Sequence, residues 1–122
     1  MTAEELLELY AAGERAFTDI DLKGVDLSFQ DLSGVNLFDS CLQNVNFSGA
    51  NLSGAIFQNI DAQSTKLTKA ILSNVVFLES DLTNADLTDC FWELTHFSNT
   101  TLPDGSFAID AWMSDNLTEE EL

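Results

Sequence analysis

The sequence predicts an all-β solenoid, a chain of short extended pieces and corners wound around one narrow core, and three features of the residue pattern predict it. First, positions 17, 22, 27 and onward to 102 are eighteen consecutive slots at a spacing of five with no insertion. Seventeen of them hold Leu, Phe or Trp, and only Ala62 departs. An α-helix advances about 100° per residue, so steps of five would smear these side chains around its surface, and a flat strand would send successive ones to opposite faces. Second, the positions two before each slot are mostly small or β-branched, as at Val25, Val45, Ala55, Thr65, Val75 and Cys90. Two inward side chains spaced two apart require locally extended chain. Third, the remaining three positions of each unit are mainly Asp, Asn, Ser, Thr, Gly and Gln, which form turns by bonding their own backbone. Repeated without a break, such units coil so that the two inward columns make the core.

The elements follow in order along one domain. Residues 1–14 contain "TAEELLELYAAG", with Thr2 as N-cap, Glu5 as its capping-box partner, apolar Leu6, Leu7, Leu9 and Tyr10, and Gly13 as a stop. This predicts a capping helix lying over the first coil, because a solenoid end otherwise exposes backbone and core side chains. Residues 15–105 are the repeats, closed by the turn sequence "LPDG" at 102 to 105. In residues 106–122, Phe107, Ile109, Trp112 and Met113 have two readings, a cover for the last coil or a self-association surface above an acidic tail.

"ANLSG" at 50 to 54 and "ADLTD" at 85 to 89 show the motif Ala-(Asp/Asn)-Leu-X-X, and over about residues 15 to 104 the chain resembles the pentapeptide repeat family. The resemblance implies a right-handed square β-helix with four pentapeptides per coil, hence about 4.5 coils here, with a helical cap at one end and a short cap segment at the other. An independent sign supports the twenty-residue coil. Phe17, Phe57, Phe77 and Phe97 fall twenty or forty apart with Leu37 completing the column, so the five are expected to stack as one internal ladder. Ala62 leaves a gap between Leu42 and Leu82 in another column, and Ile60 beside it is expected to fill that gap without a cavity. Gln30, polar in an inward slot of the first coil, is expected to be capped or water-bonded.

Composition limits the function. No run of about 18 apolar residues exists, and the acidic start "MTAEELLELY" is unlike the basic start of a secretory signal, so a cytoplasmic location and no membrane contact are expected. In the coil geometry Cys41 and Cys90 lie on opposite faces about 12 Å apart along the axis, too far for a disulfide. Cys90 is expected to be a buried filler and Cys41 exposed. His96 is the single histidine, and in an outward slot it reads as plain surface. The glycines at 24, 34, 49 and 54 each end a pentapeptide rather than form a phosphate loop. No catalytic, cofactor or metal residues are assigned, and an enzyme is not expected.

A twenty-residue coil also maps the outer surface. It places Lys66 opposite Asp86 and Lys69 opposite Asp89 as an ion ladder, and Asp61 beside Asp81. The latter is read as a backbone-bonded pair in preference to a cation site. Outward apolar residues are rarer on such a surface: Ile56 lies next to Val76, while Phe38 and Leu78 flank Gln58. These four form the candidate interaction face; Ile71, Phe91 and Leu94 form a smaller group near the C-terminal end.

The function read from this is a non-enzymatic protein-protein interaction module presenting a rigid solenoid face, as a monomer or homodimer, with an unidentified protein partner. The resemblance adds that many short family members occur in cyanobacteria without an assigned biochemical role, and that some modulate regulatory proteins by binding. Its alternative implication is an acidic DNA mimic acting on a type II topoisomerase, prompted by the net charge of −17. The repeats hold twelve acids and four bases, leaving −8. Coils about 4.8 Å apart span ~22 Å, a length over which DNA carries about 13 negative charges. A charge this negative argues against direct nucleic-acid binding, which needs basic patches.

Overall fold

The computed structural model describes residues 1–113; of the C-terminal tail, residues 114–122 lie outside the described residues. The helix α1 (Ala3–Ala11) begins where Thr2 accepts the Glu5 amide at 3.1 Å and the Glu5 carboxylate accepts the Thr2 amide at 3.4 Å. Glu4 and Glu5 place negative charge in its first turn, where the helix dipole favours it. Leu6 is buried against the core below. The helix is tied to two sides of the first coil, by the N-terminal amine donating to the Asp21 carbonyl at 3.1 Å and the Tyr10 hydroxyl donating to the Ser33 carbonyl at 2.6 Å. Arg15 lies over the Tyr10 ring at 3.7 Å and donates to the Tyr10 carbonyl, closing the junction between helix and repeats.

From there the chain winds. Strands β1 (Ala16–Thr18), β2 (Asn36–Phe38), β3 (Ile56–Gln58), β4 (Val76–Leu78) and β5 (Thr95–Thr101) pair in parallel with a register of twenty along one side. The other three sides are joined by single-residue bridges, as in Asp21 to Cys41, Asp26 to Asn46 and Asp31 to Asn51. The result is a right-handed square β-helix of about 4 turns. On each side the central residue donates to the next coil and its predecessor to the previous one: Leu22 N–H to the Cys41 carbonyl at 2.9 Å, Asn46 N–H to the Val25 carbonyl at 3.0 Å.

Motif carboxylates and amides hold the turns. Asp21, Asp26, Asp31, Asp81 and Asp86 each accept the backbone N–H two residues on, and Asn46 and Asn51 do the same through their side-chain oxygens.

Inside, Phe17, Leu37, Phe57, Phe77 and Phe97 occupy one column in register. Phe57 and Phe77 stack at 5.1 Å and 17°, Phe77 and Phe97 at 5.1 Å and 4°. Several polar residues of the small inward column bond backward by one coil, Thr65, Thr95 and Thr100 donating to the carbonyls of Leu42, Leu72 and Phe77, while Ser40 donates to the Phe38 carbonyl two residues before it. The Cys90 thiol does likewise toward Leu67 at 2.8 Å. Among the described residues no buried side-chain polar atom lacks a partner. Gln30 is half-buried in the first coil.

Three expectations need correction. Cys41 is half-buried rather than exposed, because its backbone is bridged on both sides by Asp21 and Asp61 in the flanking coils. Cys90 is likewise half-buried rather than wholly inside. At Ala62 a void of about 10 Å³ remains, lined by Leu42, Phe57, Ile60, Ala62, Phe77 and Leu82 among others, so Ile60 fills the gap incompletely. Its size is at the lower limit for one water, and its lining is apolar.

After β5 the chain turns at Pro103–Asp104–Gly105, where Gly105 takes φ 87° and Asp104 accepts both the amide and the hydroxyl of Ser106. It then returns as β6 (Phe107–Met113), antiparallel to β5, from Thr101 opposite Phe107 to Thr95 opposite Met113. Nothing in the five-residue pattern foretells this strand, which lies outside the repeats. Its Ala108 and Met113 side chains are buried.

Candidate interaction faces

The side built by β1 to β5 presents two outward columns that β6 extends. One runs Asn36, Ile56, Val76, His96 and Trp112; the other runs Phe38, Gln58, Leu78, Ser98 and Asp110. Phe38, Ile56, Val76 and Leu78 are all half-buried by their neighbours in adjacent coils, and Gln58 between Phe38 and Leu78 is exposed. The apolar stripe does not stop at Val76. His96 stacks on Trp112, with centroids 4.1 Å apart and rings 14° from parallel, and its Nε2 lies 2.5 Å from Asp110 Oδ1. His96 is therefore part of a packed trio rather than plain surface. That trio was illegible in the repeat pattern because Asp110 and Trp112 come from the non-repeating tail.

A second surface lies at the C-terminal end. Among the described residues, five of the exposed large hydrophobic side chains fall there: Phe91, Leu94, Phe107, Ile109 and Trp112. Ile71 bridges to Phe91 one coil below and is half-buried. The residues given two readings divide between them: Met113 turns into the core, while Phe107 and Trp112 point out.

A third feature is an open groove of about 630 Å³ along the next side, lined by Asp39, Cys41, Asp61, Glu79 and Asp81 and ending at Phe107. Its carboxylates are engaged locally. Asp61 accepts the Gln43 amide at 2.6 Å and the Gln63 amide at 3.0 Å, and Asp81 accepts both the N–H and the hydroxyl of Thr83. Among the described residues no three His, Cys, Asp or Glu side chains converge as metal ligands would, and no helix is long and apolar enough to cross a membrane.

Turn bonding sets the carboxylate electrostatics. The Ser28 hydroxyl and amide hold Asp26 below the usual carboxylate range, the Ser33 amide and hydroxyl do so for Asp31, and the Ser106 hydroxyl and amide for Asp104. Asp86 is lowered chiefly by the Thr88 hydroxyl and amide, with the Lys66 charge across the coil a minor contributor. Lys66 and Asp86 are bridged backbone to backbone, as the coil map places them.

A rigid parallel solenoid of this kind, whose core is spent on ladders and whose variable chemistry is all on outward columns, is a repeat scaffold. The chain belongs to the pentapeptide repeat family: the description "Pentapeptide repeats" matches it in eight copies, with residues 20–59, 31–68, 40–77 and 55–91 covered. Members of this family are generally structural or interaction modules rather than enzymes. Among solved structures the chain is similar to HetL, a pentapeptide repeat protein involved in heterocyst differentiation regulation from the cyanobacterium Nostoc sp. strain PCC 7120. The identity is 26% and the TM-score 0.69, over 76% of this chain and 43% of HetL. It is also similar in fold to QnrB1, a plasmid-mediated fluoroquinolone resistance protein, in a trypsin-treated form at 19% identity and TM-score 0.65, over 74% of this chain and 55% of that one. The full-length form of QnrB1 gives 18% identity and TM-score 0.64, over 71% and 58%. The chain thus spans about half the length of these structures. No curated protein sequence matches it.

Proposed function

We propose that the chain is a non-enzymatic binding module that presents the β1 to β5 side of its solenoid to another protein, and that it contacts neither nucleic acid nor membrane. One observation carries this reading: the strand register sets Ile56 beside Val76 and flanks Gln58 with Phe38 and Leu78, making a contiguous apolar stripe on an otherwise polar wall. A flat parallel wall with fixed twenty-residue spacing is preorganised, so little side-chain or backbone entropy is lost when a partner covers it. The acidic surroundings disfavour phosphate backbones and anionic lipid alike.

The test is site-specific photocrosslinking in cells that make the protein. A photoreactive residue at Gln58, exposed within the stripe, is expected to yield a discrete protein adduct. The same residue at Lys66, on the opposite side, is expected to yield none. Equal adducts from both positions, or none from Gln58, would remove the reading. An adduct with a type II topoisomerase spread over all the acidic sides would instead install the DNA-mimic alternative.

A further inference from the structure

We propose that β6 is a docking edge for an extended basic segment of another protein, which adds to the sheet as a seventh strand. This surface is the strand's outer edge, separate from the β1 to β5 wall, and the inference does not rest on that wall being a binding site.

The sheet order ends at β6, and among the described residues no further strand pairs with it, so one row of its backbone N–H and C=O groups faces outward. Edge strands are ordinarily blunted by lysine, proline, a bulge or a covering element, because an open edge templates further pairing. β6 reads "FAIDAWM" and carries none of the first two. Its one charge, Asp110, is already held by His96. Phe107, Ile109 and Trp112 project from it at 61%, 71% and 55% exposure. Three exposed apolar side chains, Phe107, Ile109 and Trp112, together with a row of backbone groups that no described strand pairs, meet the two requirements of strand addition, side-chain contacts for specificity and main-chain bonds for affinity.

Charge selects the occupant. After Lys69 the chain contains no lysine or arginine, while seven acids lie between residues 79 and 110. A second copy would bring the end of one chain of net charge −17 against another. A strand alternating Lys or Arg with Val, Ile or aromatic residues would instead find complementary potential around the edge and apolar side chains along it.

The test uses the full chain and two blocked octapeptides, one alternating Lys with Val and one alternating Glu with Val, with amide hydrogen exchange read at residues 107–113. The Lys peptide is expected to slow exchange of the β6 amides that face away from β5, with an affinity that falls as salt rises, and the Glu peptide to leave them unchanged. Phe107→Lys with Ile109→Lys, both exposed positions, should weaken the Lys peptide at least about tenfold, whereas Phe29→Lys on the distant first coil should not. Four results would overturn the proposal: no protection by the Lys peptide, equal protection by the Glu peptide, protection in the free monomer of the β6 amides that face away from β5, or a homodimer by light scattering that the paired lysine substitutions dissolve.

Discussion

Every fifth residue from Asp19 to Asn99 sits at a corner with positive φ, seventeen in succession. Asn, Asp and Gly adopt that conformation readily, and they fill twelve of these corners. Phe29 and Leu94, at φ 61° and 57°, have no such reason; the coils on either side impose the geometry on them. A bulky side chain there costs about 1–2 kcal/mol, and the Phe29 ring is 80% exposed, so Phe29→Asn is expected to raise stability by about 1 kcal/mol in urea unfolding. The ring also occupies the space beside Gly49, 2.5 Å from where a Cβ would stand. A fall in stability on Phe29→Asn would mean that this contact outweighs the backbone strain. The corner acids make a second prediction at this scale. Asp26, Asp31, Asp86 and Asp104 have folded pKa values below the 3.8 of the unfolded carboxylate, so on acidification the unfolded chain takes up protons first. Their contribution is full above 3.8 and is lost as pH falls through the lower folded values. Replacing Asp26, Asp31 and Asp86 with Asn keeps the turn bond that Asn46 and Asn51 already make and should flatten the acid limb of a stability-versus-pH curve. An unchanged limb in the triple variant would place acid sensitivity elsewhere.

At the scale of elements, the coil behaves as a cross-section of fixed volume. Ala62 and Ile60 exchange the usual sizes of the two inward columns, and the void of about 10 Å³ beside them measures how imperfect the exchange is. Ile60→Ala alone is expected to cost about 2–5 kcal/mol and Ala62→Leu alone about 1–3 kcal/mol, one by emptying the slice and the other by overfilling it. Together they restore the common pattern, so the double variant should lie within about 1 kcal/mol of the native chain; additive costs in urea unfolding would show that the two slots do not share space. Such exchanges are legible in sequence because volume is conserved within a coil, as are the period of five and the coil of twenty, which repetition makes redundant. β6 has no such redundancy. It is a single hairpin strand whose pairing depends on the turn at 102–106 and on the His96, Asp110 and Trp112 packing, and each of those signals occurs once. The candidate wall was legible for the same reason as the coil, since Ile56 and Val76 are neighbours by arithmetic, whereas the extension through His96 to Trp112 needed the hairpin register.

For the whole molecule, net charge and shape decide association. At −17, self-repulsion opposes dimerisation, and light scattering at ~0.1 mM is expected to find a monomer for both the native chain and Phe38→Asp with Leu78→Asp. A native dimer that the paired aspartates dissolve would assign the wall to self-association. The constant separation of twenty residues between bridged neighbours has one more consequence, which concerns how such a chain can change length. Removing a whole turn leaves every remaining ladder in register and brings the two ends about 4.8 Å closer without reorienting them. Removing one pentapeptide rotates everything downstream by a quarter turn, so β6 and Trp112 would swing to the adjacent side relative to α1. Removing a single residue would send a core leucine outward and break the winding. Insertions and deletions are thus quantised in fives, each step a choice of bearing for whatever the C-terminal end holds.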